Sequence, residues 1–201
     1  MDQYLDIVAP IATILTQDEK VKINTRADLA VSILAHAALV HYHQEIAPIA
    51  ITLTQNEQVD INTRAEIANN ILTHRALDQH LDIVAPIANI LTQDEQVNIN
   101  TRAGLAISIL ARAALNQYHK KIAPFVTTFM GNKQVNINAE AGLSSNILGI
   151  FALDHYHQEI AQIAITLVQN EQMDINTRER IENFITVQAL VSLSSSKRKR
   201  P

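Results

Sequence analysis

Apolar residues recur along the chain at helical spacing, interrupted at regular places by short polar runs. From Gln79 to Thr92 (QHLDIVAPIANILT) they fall at Leu81, Val84, Ala85, Ala88 and Leu91, with Ile83, Ile87 and Ile90 widening the stripe. That is the pattern of an amphipathic helix with a broad apolar face. Gln93 to Asn98 (QDEQVN) breaks it, and Asn100 to Leu115 (NTRAGLAISILARAAL) resumes it with almost no charge. The spacing predicts helix, turn, helix. Asn98 or Asn100 is placed to cap the second helix by accepting from free backbone N–H groups, and Asp94 or Glu95 favours the same region through the helix dipole.

The unit occurs five times. Pro10, Pro48, Pro86 and Pro124 stand 38 residues apart, with Gln162 in the fifth place, and Asn24, Asn62, Asn100, Asn138 and Asn176 keep the same step. The blocks are 2–39, 40–77, 78–115, 116–153 and 154–191, giving one α-helical repeat domain over 1–191 and a flexible basic tail at 192–201. Blocks one and three agree at 31 of 38 positions, as after duplication within the gene, so identity between copies reflects copying as well as functional demand. A pair of antiparallel helices cannot cover both apolar faces alone, and neighbours must stack. The expected fold is all-α. Ala27, Ala30, Leu34 and Ala38, with Leu29 and Ile33, are expected to be buried in every block. The proline removes one helical hydrogen bond and crowds the carbonyl four residues back, which predicts a kink in step along the array; the alternative is that each proline opens a shorter helix.

The proline in the first helix, the acidic turn (Asp18 and Glu19, Asp94 and Glu95) and the arginine opening the second helix (Arg26, Arg64, Arg102, Arg178) resemble HEAT and armadillo repeats. The resemblance spans the five blocks with a loose motif, and the 38-residue step is shorter than the usual period of about 40 to 47. It implies an α-solenoid, a right-handed superhelix of five two-helix repeats. It also implies that Arg26, Arg64 and Arg102 bond acidic turn residues of neighbouring repeats, a ladder that Glu140 interrupts in the fourth block.

One stripe of the second helix varies between blocks. It runs Asp28, Ser32, His36; Glu66, Asn70, His74; Gly104, Ser108, Arg112; Gly142, Asn146, Ile150; and Arg180, Phe184, Gln188. Residues four apart share a helix face, so stacking would line these triplets up as a partner-binding groove, or leave them as a solvated face tolerant of change. The fourth block departs furthest, adding Phe125, Phe129, Met130, Gly131, Gly142 and Gly149. Larger Phe125, Phe129 and Phe151 beside smaller Gly142 and Gly149 would keep core volume roughly constant.

The pairs His41 with His43 and His155 with His157 invite a metal reading, but residues two apart on a helix point in different directions and no acidic cluster completes a site. They are expected at the turns between blocks, their rings in water. No cysteine, glycine-rich phosphate loop, nucleophile elbow or His-Glu-x-x-His occurs, and neither enzyme activity nor a cofactor is expected. No run approaches the roughly 18 apolar residues of a spanning helix, and the amino terminus lacks the basic start of a signal peptide. A soluble, unsecreted product is the expectation.

Charge changes the picture at the end. All 20 acidic residues precede Ser192, while Lys197, Arg198, Lys199 and Arg200 follow it; the 16 basic residues less these four leave 12, so the body carries a formal charge of −8. Such a body repels phosphate backbones, which disfavours the alternative of a nucleic-acid-binding repeat protein. The tail SSSKRKRP resembles a short nuclear localisation signal read by an import receptor after a serine spacer; a weak attraction to anionic membranes lacks an accompanying anchor. The expected function is a non-enzymatic scaffold or adaptor that binds a protein or peptide along its second helices and acts in a nucleus or the cytoplasm, which suits a host-directed protein of an intracellular microbe or virus.

Overall fold

The computed structural model describes residues 5–170 and 172–197, with side chains for 7–150, 152–153, 155–170 and 172–186. These residues form α1 (Leu5–Gln17), α2 (Ile23–Ala35), α3 (Val40–Gln55), α4 (Ile61–Thr73), α5 (Leu81–Gln93), α6 (Ile99–Leu110), α7 (Asn116–Phe129), α8 (Ile137–Gly149), α9 (Asp154–Leu167) and α10 (Ile175–Lys197), with no strand among them. The protein is all-α. α2, α4 and α6 pack against the odd-numbered helices on both sides of them in the chain, α8 packs mainly on the following α9 and only slightly on α7, and α2, α4, α6, α8 and α10 pack one along the next. Contacts between successive odd-numbered helices are sparser.

The prolines lie inside α1, α3, α5 and α7 and do not open shorter helices. Pro48, Pro86 and Pro124 are exposed, and so are Gln44, Asp82 and Lys120, whose carbonyls lose their helical donor to the proline. Water can serve these groups, which is why an interior proline is tolerated on this outer face.

Short side chains shape each turn. Asp18, Asn56, Asp94, Asn132 and Asn170 accept the backbone N–H two residues on, at 2.9 to 3.0 Å, the Asx turn that reverses the chain. Asp94 therefore acts in the turn and not at the helix start. Asp60, Asn98, Asn136 and Asp174 cap the second helices, each accepting the N–H two residues on; Lys22 makes no such bond in the first repeat. Asn100 is free of capping and reaches across to the next repeat, where its Oδ1 accepts the N–H of Asn136 at 2.8 Å. Asn24, Asn62 and Asn138 do the same for Asp60, Asn98 and Asp174.

The arginines differ from the expected ladder. Arg26, Arg64 and Arg102 donate through Nε to the carbonyls of Thr16, Thr54 and Thr92, in their own repeats, at 2.7 to 2.9 Å. The carbonyls at a helix C-terminus lack intrahelical donors, so each arginine ties the end of the first helix to the start of the second, while Asp18 and Asp94 accept backbone N–H groups of their own turns.

The second helices also end earlier than the apolar pattern predicted. His36, His74, Arg112 and Ile150 are extended, and a short 3-10 segment follows each: Ala37–Leu39, Arg75–His80, Ala113–Leu115 and Phe151–Leu153. α6 thus stops at Leu110, not Leu115. The break rotates the following residues, so Ala38 is exposed, as are Ala76, Ala114 and Ala152, while Leu39, Leu77, Leu115 and Leu153 are buried. Ala27, Ala30, Ile33 and Leu34 are buried as expected and Leu29 is half-buried, but in the fifth repeat Glu179 and Glu182 stand exposed at the first two positions. α10 runs on through Ser192 to Ser196, where the sequence suggested a spacer, and ends at Lys197.

Candidate functional site

The varying stripe occupies the flank of each second helix that faces the second helix before it. Ser108 Oγ donates to Asn69 Oδ1 at 2.8 Å, and a Cβ on Gly104 would lie 3.7 Å from that same amide oxygen. A Cβ on Gly142 would meet Ile107 Cδ1 at 3.1 Å. Exposure follows from this packing. Asp28, Ser32 and His36, with no preceding repeat among the described residues, are exposed, as are Glu66 and Arg180; Asn70, Gly104, Gly142, Asn146 and Phe184 are half-buried, and Ser108 is buried.

The third members of the first four triplets leave the helix face altogether, because His36, His74, Arg112 and Ile150 are the extended residues that end each helix; Gln188 lies within α10. Two of them serve the array. His74 Nε2 lies 2.7 Å from the Leu34 carbonyl, and Arg112 donates through Nη2 to the Leu72 carbonyl at 2.6 Å while pairing through Nη1 with Asp78. Each satisfies a carbonyl at the C-terminus of the preceding second helix. Ile150, at the equivalent place, has no polar group to offer. The stripe is thus partly a seam between repeats. Its outward part is Asp28, Ser32, Glu66, Asn70 and Arg180, extended by Thr73, Ala111 and Gly149, which are exposed at the ends of α4, α6 and α8. Sequence reasoning missed those three because it ran the helix through them without a break.

The histidines are not ring-in-water pairs. His41 and His155 are exposed, their rings 4.2 and 4.1 Å from those of Tyr42 and Tyr156. His43 is buried, with Nε2 3.0 Å from the Ile33 carbonyl, its ring 4.3 Å from that of His74, and its Nδ1 buried without a partner. Burial first, then the neighbouring His74, holds its imidazole below the ordinary value of 6.5, against the opposing effect of bonds to the Ile33 and His36 backbone; His41 lowers it further. His119 and His157 likewise approach the Ile109 and Ile147 carbonyls. These rings close the C-termini of second helices. A group of three or more potential metal-ligating side chains does not occur among the described residues.

The fourth repeat inverts the arginine contact. Gly131 has φ of 76°, a left-handed backbone that favours glycine, and its N–H donates to Glu140 Oε1 at 2.8 Å. A carboxylate acceptor replaces the guanidinium donor, and a backbone N–H replaces the carbonyl. Burial pushes the Glu140 carboxyl above its ordinary value of 4.5, and the Gly131 bond opposes this. Beside it opens a cavity of about 460 Å³ lined by Gly131, Lys133, Asn136, Glu140, Asn170 and Gln172 among others. Neither glycine lies against Phe125 or Phe129: a Cβ on Gly142 would crowd Ile107, and one on Gly149 would be in ordinary contact with the Phe184 ring at 3.5 Å; the Phe151 side chain lies outside the described residues.

Of the basic cluster, Lys197 ends α10, and Arg198, Lys199 and Arg200 lie outside the described residues. No single helix among the described residues is long and apolar enough to cross a membrane. No protein-family model matches the chain, and neither a curated protein nor a solved structure does.

Proposed function

We propose that the protein is a non-enzymatic helical-repeat scaffold, a right-handed α-solenoid of five HEAT/armadillo-like repeats that offers its layer of second helices to a protein or peptide. The observation that carries this reading is the unbroken side-by-side packing of α2, α4, α6, α8 and α10. Closer contact in that layer than between the odd-numbered helices favours a bend with the second helices on its inner side, the surface helical repeats use for ligands. Glu66, Asn70, Thr73 and Arg180 project from a rigid frame, which lowers the entropy lost on binding. Lys197, Arg198, Lys199 and Arg200 bind an import receptor and carry the complex to a nucleus. The acidic body keeps nucleic acid from being the partner.

The test is affinity capture from nucleated cells with three tagged forms: the intact chain, a form ending at Ser196, and the variant Glu66→Arg with Asn70→Ala. A partner bound by the first two and lost from the third supports the surface; the same proteins recovered with all three refute it. Exclusion of the tagged intact chain from nuclei refutes the address.

A further inference from the structure

The fourth repeat lacks the cation that the first three carry at the turn between their helices. Arg26, Arg64 and Arg102 are half-buried and bring a guanidinium from the start of the second helix to the carbonyl ten residues before it. Glu140 holds the equivalent position and is only 9% exposed. Its side chain is shorter and of opposite charge, and no cation among the described residues lies within ion-pairing distance of it. Oε1 accepts the Gly131 N–H, and no other donor among the described residues reaches the carboxylate, which has room for about four hydrogen bonds. Burial pushes the carboxyl above its ordinary value, as when a charge leaves water without full compensation. Such a group gains most from a cation that brings its own hydrogen-bond donors.

The cavity beside Glu140 has the form to admit one. Its volume is about 460 Å³, and it opens between the turn of the fourth repeat and that of the fifth. Of its lining, Glu140 and Val135 are buried and Ile137 is half-buried, whereas Lys133, Asn136, Asn170 and Gln172 are exposed. The carboxylate therefore sits at the inner end, beside apolar surface that a methylene stem can cover, and the mouth is polar. There Asn136 and Asn170 spend Oδ1 on backbone N–H groups and keep Nδ2 as a donor. With the Gln172 amide and the Lys133 ammonium, these donors match the carbonyls of a peptide. An inner acceptor and outer donors suit a cation on a stem attached to a polypeptide; a phosphate or carboxylate entering the cavity would meet Glu140. Arginine suits the inner end better than lysine, because its planar fork bonds a carboxylate at two points.

We propose that the cavity beside Glu140 is a docking pocket for an arginine side chain of a partner peptide or protein, whose guanidinium pairs with the Glu140 carboxylate. The incoming group restores to the fourth repeat the guanidinium that Arg26, Arg64 and Arg102 supply within their own repeats. The pocket lies at the turns, apart from the varying stripe of the second helices, and does not depend on that stripe binding a partner.

The probes are acetyl-arginine methylamide and its lysine and citrulline counterparts, titrated at neutral pH into the isotopically labelled intact chain and followed by NMR. The arginine probe shifts the Gly131 amide resonance to saturation. Citrulline, close in shape but uncharged, leaves that resonance in place, and lysine binds more weakly than arginine. Glu140→Gln, with an unchanged helical circular dichroism signal, binds the arginine probe about tenfold or more weakly, as for a lost hydrogen bond between charged groups. Glu95→Gln, which removes an exposed carboxylate from the third turn, binds as the parent does. Should Glu140→Gln lose its helical signal, the comparison of arginine with citrulline on the intact chain carries the test. No saturable shift of Gly131 with arginine, citrulline or lysine bound as tightly as arginine, undiminished binding by folded Glu140→Gln, or equal weakening by Glu95→Gln each overturns the proposal.

Discussion

Asn62 Oδ1 accepts the backbone N–H of Asn98 at 2.6 Å, and the Asn98 side chain in turn accepts the N–H of Asn100, whose own Oδ1 takes the N–H of Asn136. Asn62, Asn100 and Asn138 are thus splices: each satisfies the capping residue of the next repeat while its own N–H is satisfied by the cap before it. Removing one such acceptor leaves an N–H at the seam without its partner. Asn62→Ala is expected to lower stability by about 1 kcal/mol, read as a reduced urea midpoint, whereas Asn62→Asp keeps an acceptor and loses less. Asn176 is exposed, with no repeat after it among the described residues, so Asn176→Ala is the internal control and leaves the midpoint unchanged. An equal loss at 62 and 176 contradicts the splice.

The arginine contact gives a second prediction, with a chemical distinction in it. Arg64 donates through Nε to the Thr54 carbonyl, a bond that depends on a donor part-way along a planar fork. Arg64→Ala is expected to cost about 2 kcal/mol, the range for hydrogen bonds with a charged partner. Lysine keeps the charge but has no donor at that point, so Arg64→Lys recovers less than half of the loss. If lysine restores the midpoint fully, charge and not the Nε bond is what matters.

Why these contacts were only partly legible in the sequence is a question of direction. The 38-residue step and the apolar periodicity contain the helices, the turns and the buried Ala27, Ala30, Ile33 and Leu34, because burial is dictated by spacing along one helix. The residue at the end of each second helix is different. His74 and Arg112 share a helical register with Glu66 and Gly104 on paper, yet the chain is extended at both, because it must reverse to lay down the next repeat. Nothing in the apolar pattern marks that reversal, since Ala111, Ala113, Ala114 and Leu115 continue the run. Similarly, the resemblance to HEAT and armadillo repeats places the arginine on an acidic turn residue, but the nearby helix end offers a carbonyl with no donor, which a partly buried guanidinium satisfies. The varying stripe inherits the first of these differences: His74 and Arg112 bond carbonyls of the preceding second helix and so belong to the seam.

His43 predicts an acid limb in the stability profile. The unfolded imidazole takes its proton near 6.5, while the folded one, held down mainly by burial and then by His74, takes it at lower pH. Between those values the unfolded chain binds more protons, so stability falls as pH drops through 6.5 towards the folded value. The geometry gives the reason: with Nε2 donating to Ile33, a second proton must go to Nδ1, which is buried without an acceptor, while His41 and His74 stand close enough to repel the charge. The third repeat carries buried Leu81 at this position. His43→Leu is therefore expected to fold and to lose much of the slope of the urea midpoint below pH 6.5; an unaltered slope would assign the acid limb to other groups.

Glu140 predicts the opposite dependence. Burial raises its folded value above 4.5 more than the Gly131 bond lowers it, so between 4.5 and the raised value the folded state holds more protons than the unfolded one. Stability from this group is present below 4.5 and is lost as pH rises through the folded value. The buried carboxylate is then a neutral-pH liability that the Gly131 contact only partly offsets. Glutamine is nearly isosteric, keeps an oxygen to accept the Gly131 N–H and carries no charge. Glu140→Gln is accordingly expected to raise the urea midpoint at pH 7 and to match the parent below pH 4.5, where the parent carboxyl is also protonated. A lower midpoint for Glu140→Gln at pH 7 means that the ionised oxygen strengthens the Gly131 bond by more than burial costs, and that the fourth repeat is tied by charge as the others are by arginine.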